Sequence, residues 1–187
     1  MSGRGHAAAL AALGLEGAER AALVGYLDLL AEWSARVNLT GARSAEERVG
    51  LLVAPVLPAR SWVKGPRLLD VGSGNGSPGL VLGLLHPELE LVLLEPRLKR
   101  WAFLREALRR APRRGPAEVR RERHDAYPGP PASTVSRRAV ALGPPELAGL
   151  LEPGGRLLIF GPAAPAPAGW TAQVPAPGLQ VLQAPGP

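Results

Sequence analysis

A short apolar segment runs directly into a glycine-rich loop near the middle of the chain. Leu68-Leu69-Asp70-Val71 is followed by Gly72-Ser73-Gly74-Asn75-Gly76-Ser77-Pro78-Gly79. Glycine lets the backbone turn tightly and lets a ligand approach without an intervening side chain. A strand that leads into such a loop and then into a helix is typical of nucleotide-binding α/β sheets. The pattern therefore predicts a ligand site at the carboxyl end of this strand.

Short apolar runs alternate with helical patterns on both sides of the loop. We expect strands at residues 67–71, 89–95, 117–121, 134–136 and 156–160, and helices at residues 78–85, 97–111 and 145–151. This alternation predicts an α/β fold with a mostly parallel sheet flanked by crossover helices. After residue 161 the chain is rich in Pro, Ala and Gly, and it supplies at most two short edge strands, near residues 170–174 and 179–183, or a partly disordered tail.

The first sixty residues have a helical pattern. Apolar residues recur at helical spacing over residues 18–38, and Ser44 with Glu47 forms a capping-box pattern for a second helix that Pro55 and Pro58 end. We therefore divide the chain into a helical N-terminal cap of residues 1–62 and a Rossmann-like domain of residues 63–187.

Two acidic residues narrow the choice of ligand. Asp70 precedes the loop, where it can bond through water or backbone to an amino-acid group, and Glu95 ends the next strand, where a carboxylate can accept hydrogen bonds from both ribose hydroxyls of an adenosine. A dinucleotide site favours G-x-G-x-x-G, and here the third glycine comes one residue early. We predict S-adenosylmethionine as the cofactor, bound by Asp70, Gly72, Ser73, Gly74, Gly76, Ser77 and Glu95.

The positive charge is concentrated in one segment. Between Arg97 and Arg123 lie eleven of the 22 Lys and Arg residues, against three Glu residues. Such a segment favours nucleic acid through counterion release, although an Arg-rich helix is also often only a solvated face. We predict that it helps to bind RNA phosphates, with Arg100 and Arg105 as candidate contacts.

Other classes of site and of location are disfavoured. The chain has no cysteine, and its three histidines are far apart, so neither a disulfide nor a metal site is expected. No stretch has the apolar length of a signal peptide or a membrane span. We expect a monomeric, cytoplasmic protein that does not bind a membrane.

Four sequence blocks resemble one known family. They are the segment from Tyr26 to Thr40 with its Trp33 and Asn38-Leu39-Thr40, the loop from Asp70 to Gly79, the segment from Lys99 to Arg105, and Ser136-Arg137-Arg138-Ala139-Val140-Ala141. Their order and spacing resemble the small-subunit ribosomal RNA methyltransferase G family, also called glucose-inhibited division protein B. The resemblance implies a class I methyltransferase fold and N7 methylation of a guanosine in 16S ribosomal RNA with S-adenosylmethionine.

The resemblance also assigns roles to individual residues. It places Gly72 and Ser77 against the cofactor, Glu95 on the ribose, His124 and Asp125 beside the adenine, and Arg138 on the methionine carboxylate or an RNA phosphate, with Arg137 as a rival. Guanine N7 carries a lone pair and no proton, so orientation at near-attack distance can supply most of the acceleration. We therefore nominate no catalytic residue.

The chain also departs from the family pattern. Residues 51–58 are apolar where the family has a polar block, Ser77 stands where a large apolar residue is usual, and Phe160-Gly161 replaces a lysine-glycine pair. Two alternatives stay open for this reason. Beside methylation of 16S ribosomal RNA, they are a methyltransferase with another substrate and a non-catalytic RNA-binding relative that has lost turnover.

Overall fold

A seven-stranded sheet forms the centre of the molecule. The structure, a computed structural model, describes residues 2–186. The strands are Arg67–Val71 (β1), Glu90–Leu94 (β2), Ala117–Arg120 (β3), Ala132–Arg138 (β4), Leu151–Phe160 (β5), Thr171–Ala176 (β6) and Leu179–Gln183 (β7). Their spatial order is β3-β2-β1-β4-β5-β7-β6, and β1 to β5 are parallel, whereas β7 is antiparallel to both of its neighbours. The predicted α/β fold with a mostly parallel sheet is confirmed.

Helices cover the sheet and form the N-terminal region. They are Ser2–Ala11 (α1), Gly17–Ser34 (α2), Ala45–Leu52 (α3), Gly79–Leu85 (α4), Leu98–Arg110 (α5) and Pro144–Leu147 (α6). Shorter 3-10 segments lie at Ala54–Trp62, His124–Ala126 and Ala148–Leu150. No helix among residues 2–186 is both long enough and apolar enough to cross a membrane.

The capping box predicted for α3 is present. The Ser44 hydroxyl accepts from the Glu47 backbone N–H at 3.0 Å, and the Glu47 carboxylate accepts from the Ser44 backbone N–H. The helix α3 ends at Leu52, before Pro55, as the sequence predicts, and a 3-10 segment then continues through Pro55 and Pro58 to Trp62. Pro55 lies at the start of this segment and loses no hydrogen bond, since the first N–H groups have no partner within the helix, whereas Pro58 lies inside the segment.

The N-terminal helices and the sheet share one hydrophobic core. Leu23, Leu27 and Leu30 of α2 belong to the same buried cluster as Leu80 of α4 and Leu158 of β5. The division of the chain at residue 62 therefore stays a prediction, since the two parts bury their apolar faces against each other.

The buried face of α5 differs from the predicted one. The helical spacing of Leu98, Trp101, Leu104 and Leu108 predicts that these residues form the apolar side of α5, but Leu98 is 57% exposed at the start of the helix. Leu104 is fully buried as this spacing predicts. Phe103 is fully buried as well, and its ring meets Trp33 of α2 edge-on at 5.8 Å between centroids. The helix is therefore rotated so that its aromatic residue faces α2.

The Pro-rich C-terminal region completes the sheet. Both predicted strands form, but β7 is an interior strand paired with β5 and β6, so its prediction as an edge strand was wrong. Val181 and Leu182 are buried on the two faces of the sheet, which explains why this short strand is apolar. Of these two strands, β6 is the one at an edge of the sheet, with Pro175 in its sequence and a register shift between Gln173 and Ala176.

Candidate functional site

The glycine loop turns back over the carboxyl end of the sheet. The backbone N–H groups of Gly72 and Ser73 both donate to the Leu94 carbonyl, at 2.9 and 3.0 Å. Gly72 has φ +72°, and a Cβ atom at this position would lie 2.6 Å from Cγ2 of Val140. Only glycine allows this conformation and this close approach together. The loop is therefore held between the end of β2 and the segment of residues 139–142 that follows β4.

Asp70 lies beneath the loop. Its side chain is 1% exposed, and its Oδ1 accepts from the Ser136 hydroxyl of β4 at 2.6 Å. The Ser73 hydroxyl donates to the Asp70 backbone carbonyl at 3.1 Å, which fastens the start of the loop to β1. Asp70 lines none of the three clefts that are described in the following paragraphs. Its contact with a cofactor through water or backbone therefore stays a prediction.

The burial of Asp70 makes the stability of the fold depend on pH. Burial raises the pKa of Asp70 from 3.8 to about 6, although the Ser136 hydroxyl opposes the rise. A raised native pKa means that the native state binds the proton more tightly, so stability is present below about pH 4 and is lost as the pH rises through about 6. This change corresponds to roughly 3 kcal/mol.

We therefore expect Asp70→Asn to remove the loss of stability that the wild type shows as the pH rises through about 6. Chemical unfolding at pH 4.5 and pH 7.5 measures the effect, and the variant should gain stability over the wild type at pH 7.5 but little at pH 4.5. The exposed Asp125, changed to Asn, is the matched control. Equal gains for Asp70→Asn at both pH values would contradict the expectation.

Glu95 joins the loop to the start of α5. Its carboxylate is 3% exposed, with Oε2 accepting from the Gly74 N–H at 2.9 Å and Oε1 accepting from the Arg97 N–H at 2.8 Å. Each carboxylate oxygen has a second lone pair, so the group can still accept from a ligand diol. Glu95 lines a cleft of about 380 Å³, the Glu95 cleft, together with Gly72, Arg100, His124 and Val140.

A second cleft adjoins the first on the other side of the loop. This loop cleft, of about 280 Å³, is lined by Gly74, Asn75, Ser77, Leu52 and Arg138. Gly72, Arg100 and Ala139 line both clefts, which therefore form one trough across the carboxyl ends of β1, β2 and β4. An elongated ligand with a nucleoside at one end and a charged group at the other suits such a trough.

Arg137 and Arg138 point to opposite faces of the sheet. Successive residues of a strand alternate in direction, so only one of the two can lie on the loop side. Arg138 lies on the loop side, because its Nη1 donates to the Ser77 hydroxyl of the loop at 2.9 Å. The Ser77 hydroxyl in turn donates to the Leu52 carbonyl at 2.8 Å. Burial lowers the pKa of Arg138. Its role on a ligand stays a prediction.

The remaining predicted residues are dispersed. His124 lines the Glu95 cleft, whereas Asp125 is exposed and lies 3.4 Å from Arg123, outside the cleft. The guanidinium of Arg105 stacks over Trp101 at 4.7 Å from the ring centroid, in a separate groove along α5. The structure therefore brings His124 and Arg100 to the trough but leaves Asp125 and Arg105 outside it.

Sequence reasoning missed several residues that shape the trough. The Tyr26 hydroxyl of α2 donates to the Asn75 carbonyl at 2.9 Å, and the Asn75 amide donates to the Leu39 carbonyl at 3.1 Å. Val140 packs against the loop at Gly72. Tyr26, Leu39 and Val140 all lie in the sequence blocks that carry the family resemblance, and this was the available signal.

Comparisons with known proteins agree with this geometry. A family model described as rRNA small subunit methyltransferase G matches residues 19–158. The chain belongs to this family. A ribosomal RNA small subunit methyltransferase G of Xanthomonas euvesicatoria is 35% identical, and the alignment covers 87% of this chain and 81% of the relative. A relative of the same name from Chromohalobacter salexigens is 43% identical, but that alignment covers 54% of this chain and only 50% of the relative.

Solved structures show the same fold at low identity. One of them is a Plasmodium falciparum protein assigned as a protein-L-isoaspartate O-methyltransferase and solved with S-adenosyl-L-homocysteine. Its TM-score is 0.59 at 14% identity, and the alignment covers 98% of this chain and 95% of the other. A protein of Methanococcus maripaludis assigned as an S-adenosyl-L-methionine-dependent methyltransferase has a TM-score of 0.58 at 12% identity, covering 75% and 90%. The methyltransferase G family, the methyltransferase class and S-adenosylmethionine as cofactor are thereby confirmed.

Proposed function

We propose that this chain transfers the methyl group of S-adenosylmethionine to N7 of a guanosine in the 16S RNA of the small ribosomal subunit. The observation that carries the proposal is the buried Glu95 carboxylate, which is bonded to the glycine loop in a chain of the methyltransferase G family. We also propose that the protein is a monomer and that it is located in the cytoplasm, where ribosomal subunits are found.

The residues of the trough fit this cofactor. Gly72 lines both clefts without a side chain, and the second lone pairs of Glu95 suit a ribose diol. Arg138 provides a positive charge at the loop end, where a carboxylate would lie. We propose that Gly72, Ser73, Gly74 and Ser77 line the cofactor, that His124 lies beside the adenine, and that Gly76, Asp70 and Asp125 support the site from outside the two clefts.

The reaction needs little chemistry from the protein itself. When bound, S-adenosylmethionine supplies an activated methyl group on a sulfonium. Guanine N7 attacks with its own lone pair, and no proton is removed from it. The chain therefore has to orient the two reactants and exclude water. The high effective molarities of well-oriented intramolecular reactions show that orientation alone can give a large acceleration. Glu95 and the loop hold one reactant, and the residues at the mouth of the trough would hold the other.

The distribution of unpaired positive charge supports an RNA substrate. In the described part of the chain, Arg109 and Arg110 both form ion pairs with Glu106, and Arg120 lies between two glutamates. Arg97, Lys99 and Arg100 at the start of α5 have no such acidic partner within residues 2–186.

The start of α5 is an electrostatically unfavourable place for these three positive charges. The N-terminus of a helix carries a partial positive charge, so each cation in the first turn costs roughly 0.3–1 kcal/mol, and the first turn of α5 contains no acidic residue. Arg97 and Arg100 also line the Glu95 cleft. Positive charge that is unfavourable for the helix and borders the trough is well placed to bind RNA phosphates.

The proposal is tested by methyl transfer to ribosomal RNA. Purified protein, labelled S-adenosylmethionine and small ribosomal subunits should give labelled 16S RNA, and cleavage at 7-methylguanosine should locate the base. Affinity for the RNA should fall steeply between about 50 and 200 mM salt, because phosphate contacts release counterions. Labelled RNA without cleavage would contradict N7 as the target. Cofactor binding without labelled RNA would favour another substrate, and RNA binding without cofactor binding would favour a non-catalytic relative.

A further inference from the structure

A third cleft shares the residue 139–142 segment with the Glu95 cleft. This Arg137 cleft has a volume of about 790 Å³ and is lined by Pro55, Arg137, Val140, Leu142, Phe160 and Pro162. The volume lies within the usual range for a site that binds a small organic group. Its walls are mainly apolar, and the charged residues that line it are Arg137 and its neighbour Arg138.

The charge of Arg137 is buried without a counter-charge. The side chain is 8% exposed at the end of β4, where Arg137 is flanked in register by Val71 and Ile159. Its Nη1 donates to the Val140 carbonyl at 3.2 Å, whereas its buried Nε has no partner, and no carboxylate within residues 2–186 forms an ion pair with it. Burying an ion without a partner costs several kcal/mol. An anionic ligand at this cleft would offset that cost.

A ligand that offsets this cost would be an oxyanion. It could be a phosphate of the RNA or the carboxylate of the cofactor. The position of Arg138 decides between them. Arg138 already supplies a positive charge to the loop cleft, on the face of the sheet where the loop lies. Arg137 projects from the other face and lines neither the Glu95 cleft nor the loop cleft. Arg138 also lines the Arg137 cleft, but its Nη1 is bonded to Ser77 of the loop, so a ligand carboxylate in the loop cleft would meet Arg138 and not Arg137.

We propose that the Arg137 cleft binds a backbone phosphate of the RNA substrate next to the nucleotide that is methylated. The planar guanidinium donates two parallel hydrogen bonds to a phosphate, and it stays charged when partly buried. Phe160 and Pro162 provide apolar surface for the adjoining sugar or base. This inference rests on the proposed function, because it requires that the substrate is RNA.

The test compares Arg137→Met with Arg4→Met, a matched control at an exposed arginine of α1 that lines none of the three clefts. Titrations measure the affinity for 16S RNA at several salt concentrations, for guanosine 5′-monophosphate and guanosine, and for S-adenosylhomocysteine. We expect Arg137→Met to weaken RNA binding about tenfold or more and to reduce the salt slope by about one. It should weaken binding of the monophosphate but not of the nucleoside, and affinity for S-adenosylhomocysteine should not change.

Two further measurements separate a ligand contact from a structural role. Replacing a buried unpaired charge with an apolar side chain of similar size is often neutral or stabilising, so the melting temperature of Arg137→Met without ligand should not fall. Arg137→Lys keeps the positive charge but loses the planar pair of donors, so this variant should retain part of the RNA affinity that Arg137→Met loses.

Each contrary result has a distinct meaning. Unchanged RNA and monophosphate affinity in Arg137→Met would overturn the proposal, and so would a loss confined to S-adenosylhomocysteine binding. If the wild type bound S-adenosylhomocysteine but no RNA, the proposed RNA substrate would be wrong, and an RNA phosphate in this cleft with it. The monophosphate titration would then decide whether Arg137 binds an anion at all.

Discussion

Glu95→Gln should weaken the binding of S-adenosylhomocysteine about 100-fold or more. The carboxylate uses one lone pair of each oxygen for the N–H groups of Gly74 and Arg97, and the other two are available to a ribose diol. A glutamine side chain has one oxygen, and its amide nitrogen would face one of these N–H groups as a second donor. The variant therefore loses half of the acceptors and leaves a backbone N–H of the loop unpaired. Isothermal titration measures the loss.

The control is Glu90→Gln on the same strand. Glu90 forms an ion pair with Arg67 at the opposite end of β2, with 2.8 Å between Oε2 and Nη2. We expect this variant to bind S-adenosylhomocysteine as the wild type does. A melting curve of each variant without ligand separates loss of a ligand contact from loss of the fold. Affinity of Glu95→Gln within about threefold of the wild type, less than 1 kcal/mol, would contradict the assignment of Glu95 to the cofactor.

Gly79→Ala should be among the most destabilising single-methyl changes in this chain. A Cβ at residue 79 would lie 2.3 Å from Cβ of Asp70 and 2.4 Å from its Cγ. Rotation of the Asp70 side chain cannot relieve a contact with its own Cβ, so α4 would have to move away from β1. Overpacking of this kind costs typically about 1–3 kcal/mol. For a chain of this size that corresponds to a fall of roughly 2–12 °C in the melting temperature.

Gly25→Ala is the matched control for this change. Gly25 lies within α2, and a Cβ there would meet no atom within 4 Å. Alanine is the better helix former, so this variant should be more stable than the wild type by about 0.5–1 kcal/mol. Because α4 begins at Gly79 directly after the loop, Gly79→Ala should also weaken the binding of S-adenosylhomocysteine. A Gly79→Ala protein as stable as the wild type would mean that α4 and β1 are less tightly packed than described.

The sequence predicted the elements around the loop well because their signals are local. The apolar runs of β1 and β2 and the glycines between β1 and α4 have few alternative conformations. The extent of β4 was underestimated, since Ser133, Thr134 and Ser136 are polar. All three are buried in the sheet, where the Thr134 hydroxyl bonds to Lys64 and the Ser136 hydroxyl to Asp70. Such partners are distant in sequence and leave no periodic pattern.

The composition of the site was harder to predict for a similar reason. His124 and Asp125 are neighbours in sequence, but the 3-10 turn His124–Ala126 directs one side chain to the Glu95 cleft and the other to solvent. Arg137 and Arg138 could not be told apart from the sequence, because the direction of each depends on the pairing of β4 with β1. The family resemblance supplied residue types at the site, and only strand pairing supplied their directions.

The short strand β6 has a consequence for the behaviour of the protein in concentrated solution. An open sheet edge has unpaired N–H and C=O groups that can pair with another copy of the chain. Proline at residue 175 removes one of these donors, and the irregular register beside it bends the edge away from a flat ladder. This end of the sheet is therefore a poor template for strand addition, and the Pro-rich sequence that makes the region look unstructured protects the protein against aggregation.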